Sequence, residues 1–86
     1  MAAVPAAFTV TATLKANPVI YRGLTIRETA GSTASIVVRS GGASGVIVET
    51  LALAANESVG IDRCPIQCTS IHVTVTGTVE GSVFHE

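Results

Sequence analysis

The sequence predicts an all-β fold, a small antiparallel β-sandwich or barrel of about seven to eight strands. Three observations lead there. Apolar residues recur at every second position, the step at which side chains alternate between the two faces of a strand. Turn residues punctuate the chain roughly every 8–12 positions, as in sandwiches and small barrels. No segment shows a helical period, and the one helix-compatible run, Leu51 to Asn56, is too short to stand alone.

The elements follow in order. In "FTVTATL", Phe8, Val10, Ala12 and Leu14 face one way while Thr9, Thr11 and Thr13 face the other, and Asn17-Pro18 ends the strand. The next strand is "VIYRGLTIRE", where Leu24 and Ile26 alternate with Thr25 and Arg27 and Gly23 marks a bulge. A turn at "AGST" precedes the strand "ASIVVRS". "GGASG", Gly41 to Gly45, supplies the positive-φ positions of a hairpin loop leading into "VIVETLAL". "AANES" turns the chain into a short strand, "VGI", and "DRCPIQCT" reads as the longest irregular stretch. "SIHVTVTGTVEGSVF" closes the chain as one bent strand or two, with Gly77 and Gly81 as bend or bulge sites. The expected core is Phe8, Val10, Leu24, Ile26, Ile36, Val38, Leu51, Leu53, Ile71, Val73 and Val75. Residues 1–86 read as a single β domain, with 1–7, Ala-rich and uncharged, a candidate extended arm or a disordered tail.

Two runs break the alternation: Ile36-Val37-Val38 and Val46-Ile47-Val48. A strand apolar on both faces is usually covered on both, here by a loop or by a neighbouring subunit. Composition points the same way. Charged residues make up 13% of the chain, about half the usual ~25%, so part of the surface is expected to lie against a partner. The net charge is −1, and the five basic residues are scattered. Only Phe8, Tyr21 and Phe84 are aromatic. Without a basic patch or stacking platform, nucleic-acid binding is not expected. The N-terminus lacks the positive region of a signal peptide, and no segment approaches the roughly 20 apolar residues of a membrane span, so a cytosolic origin and no membrane contact are expected.

The chemistry-bearing residues are few. Cys64 and Cys68 stand at a spacing permitted in zinc sites, and His72 and His85 could complete four ligands. Against this, His72 lies within an alternating strand and His85 beside a terminus, where chains fray. A Cys64–Cys68 disulfide is disfavoured in a reducing cytosol, which leaves two small, partly buried thiols as the preferred reading. Glu57 and Asp62 are isolated and fit no calcium loop. Arg27 and Arg39 fall on polar strand faces, either pairing with Glu28, Glu49 or Glu80 or docking a partner's carboxylates. "SGGASG" lacks the Lys and helix of a phosphate loop, and no nucleophile elbow is present. No catalytic, cofactor-binding or metal-binding residue is therefore assigned, and the chain is expected not to be an enzyme.

The run "YRGLTIRETAGSTASIVVRSGGASGVIVETLALAANESVGI" followed by "TSIHVTVTGTVEGSVF" resembles small structural proteins of tailed bacteriophages, of head-decoration or fibre type. The resemblance covers Tyr21 to Phe84 and rests on the order of its strand and turn motifs. It implies a virion component, made in the host cytoplasm, that binds the major capsid protein or another virion protein as a small homo-oligomer. It brings no catalytic residue. The alternative is a receptor- or glycan-binding module of a phage fibre or tail, against which one Tyr, no Trp and two Asn count.

Overall fold

The computed structural model describes residues 3–86, with the backbone alone at position 64. Eight strands run among the described residues: β1 (Val4–Phe8), β2 (Ala12–Lys15), β3 (Val19–Glu28), β4 (Ala34–Ser40), β5 (Val46–Leu53), β6 (Ser58–Cys68), β7 (Ile71–Thr76) and β8 (Val79–His85). They form two four-stranded antiparallel sheets, β1-β8-β3-β6 and β2-β7-β4-β5. The fold is thus an all-β sandwich. Six of the seven connections cross from one sheet to the other, and β4–β5 is the single hairpin.

The core lies between the inward faces. Phe8, Leu24, Ile26, Ile36, Val38, Leu53, Ile71 and Val73 are buried there, joined by Val19, Tyr21, Val79 and Val83, while Leu51 and Val75 pack against it partly exposed. Val10 departs from the expected core and is 65% exposed. "FTVTATL" is not one strand. The chain leaves the first sheet after Phe8 and enters the second at Ala12, so Val10 sits on the corner, where sequence alternation no longer maps onto one pleat. Thr11 fixes that corner: its Oγ1 accepts from the Val75 N–H at 2.9 Å.

The stretch read as a candidate arm pairs with the chain's own sheet. From Val4 onward it is β1, in register with β8 from Val4↔His85 to Phe8↔Gly81. The irregular "DRCPIQCT" and the short "VGI" together make β6, which is 11 residues long. Its Pro65 is tolerated because β6 is a sheet edge, where a missing N–H breaks no ladder on the open side. The irregularity survives as a local insertion: Tyr21 pairs with Ile66 but Gly23 with Asp62, so residues 63–65 stand opposite Arg22 alone. Gly23 is the bulge expected from sequence, and the register shifts there against β8 as well.

The two apolar runs have different explanations. Ile36 and Val38 are buried and Val37 is half-buried on the opposite face. In β5 the alternation is broken by a register shift, since Val38 pairs with Glu49 but Arg39 with Ile47. Val48 is the extra residue and packs on the core, whereas Val46 and Ile47 are 75% and 51% exposed. This run is therefore not covered on both faces within the chain.

Candidate functional site

Two buried carboxylates hold the frame on which any surface is displayed. Glu28 ends the inward alternation Leu24, Ile26, Glu28 and is fully buried. It accepts four backbone N–H groups: Ala30 (2.7 Å), Gly31 (2.9 Å), Ser32 (3.1 Å) and Asn56 (2.8 Å). One side chain thus ties the β3–β4 crossover to the β5–β6 crossover. The Asn56 N–H above all, with the other three, holds its carboxyl below the ordinary value against the opposing effect of burial. Asn56 itself has a φ of 61°, a conformation Asn tolerates better than most residues.

The second carboxylate is Glu49, paired bidentately by Arg63 of β6, whose Nε and Nη2 both donate at 2.7 Å. The pair joins the edge strands β5 and β6 of the two sheets, with Glu49 7% and Arg63 46% exposed along their side chains. Tyr21 donates its hydroxyl to Glu49 Oε1 at 3.5 Å. Burial, and next the Glu49 charge, push the Tyr21 hydroxyl well above its ordinary value.

The other sequence candidates disperse. His72 lies on the outer face of the second sheet, with Nδ1 2.9 Å from Thr13 Oγ1 and Nε2 buried without a partner among the described residues. His85 belongs to the first sheet, and the chain end beside it is ordered by reciprocal bonds between Glu86 and Ile20 at 2.9 and 3.0 Å. Cys68 is a buried free thiol opposite Val19. The Cys64 side chain lies outside the described structure. Among the described residues no three His, Cys, Asp or Glu side chains converge as metal ligands. Glu57 turns back onto its own loop, accepting the Ala54 N–H at 2.8 Å. Arg27 reaches Glu80 at 4.0 Å on the exposed face, one of its three expected partners. Arg39 pairs with none of them. It donates to the Gly45 carbonyl at 3.0 Å, while Glu28 is held by backbone, Glu49 by Arg63, and Glu80 lies near Arg27.

That Arg39 contact fastens the β4–β5 hairpin loop from one side. From the other, Ser40 Oγ accepts the Thr69 N–H at 3.0 Å, and Ser70 Oγ accepts the Gly41 N–H at 3.1 Å. The loop is thus tied to the β6–β7 crossover, and beside it stand the exposed Val46 and Ile47. The fastened loop thus has two large exposed apolar side chains beside it, at the start of β5. A different surface occurs on the first sheet, where a cavity of about 490 Å³ is lined by Ala3, Arg22, Asp62, Arg63 and Phe84.

Sequence reasoning named Glu28 and Glu49 only as partners for Arg27 or Arg39, and gave Arg63 no role. The signal for Glu28 was its inward parity after Leu24 and Ile26. Glu49 gave no such signal, because the register shift beside it resets the alternation. No protein-family model matches the chain, and neither the curated proteins nor the solved structures contain a match to it.

Proposed function

We propose that this chain is a non-enzymatic virion structural protein, a capsid decoration or minor capsid protein that binds the major capsid protein as a small homo-oligomer. The observation that carries the proposal is the apolar tip: Val46 and Ile47, 75% and 51% exposed, next to a hairpin loop fastened at Arg39, Ser40 and Ser70. Large apolar side chains left exposed at the strand end beside a tied loop favour a covering surface. The phage-like order of motifs indicates which surface. Low charge fits as well, since a contact with few ion pairs depends only moderately on salt. Linked copies on a symmetric shell make weak individual contacts effective.

The test mixes purified protein with mature and immature capsids encoded beside its gene and images the particles. Saturable, symmetry-related added density is expected. Val46→Asp with Ile47→Asp should abolish it without lowering the melting temperature, because both positions are exposed. Density retained by that double variant places the contact elsewhere. Protein that adds to no capsid removes the decoration role.

A further inference from the structure

We infer that the outer face of the first sheet carries a binding site for a neutral saccharide, built on Phe84, Asp62 and Arg22. Of the three aromatic residues in the chain, Phe8 and Tyr21 are buried in the core. Phe84 alone remains partly exposed, and it lines the cavity of about 490 Å³ with Asp62 and Arg22. That volume lies within the roughly 300–1,000 Å³ of small-ligand sites.

The strand register brings the lining residues together. Pro5 and Gly23 flank Phe84 on neighbouring strands, and Gly23 in turn faces Asp62. The row across the sheet is therefore Pro5, Phe84, Gly23, Asp62. Gly23 adds no side chain to this row, and the bulge beside it sets Arg22 and Arg63 along the same cavity.

The polar groups suit a hydroxylated ring. The Asp62 side chain is exposed and makes no hydrogen bond or ion pair among the described residues, so its carboxylate is open to accept. Arg22 uses Nη1 on Glu86 Oε2 at 2.7 Å, which leaves Nε and Nη2 to donate. A sugar hydroxyl both donates and accepts, and so can bridge the two. The apolar C–H face of a pyranose matches the flat side of Phe84, in the usual combination of an aromatic wall with a few placed polar groups. Charge selects among ligands. Among the described residues, Arg22 and Arg63 stand against Asp62, Glu86 and Glu49, so no excess of positive charge favours a carboxylate, sulfate or phosphate. The site lies on the opposite sheet from Val46 and Ile47, so it stands or falls independently of the capsid contact.

The test is an NMR titration of the ¹⁵N-labelled protein with glucose, galactose, mannose, N-acetylglucosamine and their disaccharides, with sialyllactose as the acidic arm. At least one neutral sugar is expected to give saturable shifts at the amides of Arg22, Asp62 and Phe84. Asp62→Asn, an exposed change that leaves packing alone, should weaken binding about tenfold, equivalent to one well-placed polar contact. Phe84→Leu keeps the apolar volume but removes the flat face, and should weaken it by a similar factor. Absence of shifts at these amides with every neutral sugar overturns the inference. So does tighter binding of sialyllactose, or affinity unchanged in Asp62→Asn.

Discussion

Replacing Gly23 by alanine should destabilise the domain more than any other single-methyl addition at a positive-φ glycine. Gly23 has a φ of +132°, a region L side chains rarely adopt. A Cβ there would overlap the Ile61 carbonyl oxygen and lie 3.0 Å from its carbonyl carbon and 3.2 Å from Asp62 Cα. All three are backbone atoms of β6, so relief requires strand displacement and not a rotamer change. Backbone strain contributes about 1–3 kcal/mol. Forcing a methyl into filled space adds about 1–3 kcal/mol. The sum, about 2–6 kcal/mol, compares with about 4–13 kcal/mol for a whole domain of this length. A melting temperature at least about 10 °C lower is expected. Gly42→Ala is the control: its φ is +91°, but nothing lies within 4 Å of its Cβ position, so only backbone strain of about 1 kcal/mol applies. Urea unfolding followed by far-UV circular dichroism gives both midpoints. A Gly23→Ala midpoint equal to or above that of Gly42→Ala refutes the argument, because it would mean that β6 yields freely at the bulge.

Acid should destabilise the domain through Glu28. Its carboxyl is held below the unfolded value of about 4.3, so its contribution is fully present above that pH and is lost as pH falls through the lower folded value. Glu28→Gln should be less stable at neutral pH and show a shallower acid decline, measured as urea midpoints down the pH series; parallel curves for the two proteins count against the cradle. Arg63→Ala should cost about 1–3 kcal/mol by thermal melting, toward the low end because Arg63 is 46% exposed and partly screened. No loss would show that Glu49 is solvated without it. Tyr21 is the single tyrosine, so alkaline phenolate absorbance reports it alone; ionisation is expected only together with unfolding, above the ordinary value of about 10. Val73→Asp should abolish folding, since Val73 is fully buried and an unpaired polar group there costs at least about 2–7 kcal/mol, and a soluble, folded variant would show its face to be misassigned.

The all-β class, the middle strands and most of the core were legible in the sequence, because strand periodicity is local: each residue's face follows from its neighbour's. Hence β3, β4 and β5, the Gly23 bulge and the Gly41–Gly45 hairpin were all legible. What it did not contain was which sheet each strand joins. "SIHVTVTGTVEGSVF" reads as one bent strand or two with a bend at Gly77; the structure has two, turning at Gly77, whose φ is +95°, and the string does not show that β7 and β8 lie in different sheets. Val10 failed for the same reason, since a corner between sheets leaves the alternation intact in the string while rotating the side chain into solvent. Charged residues were the least legible. Glu28 meets Asn56, and Glu49 meets Arg63, only because crossovers and edge strands distant in sequence are brought side by side. Phe84 and Asp62, 22 positions apart by their numbers, share one row only through the register of β3 with both its neighbours. Such pairings depend on long-range register, which the packing of the two sheets sets and no local pattern encodes.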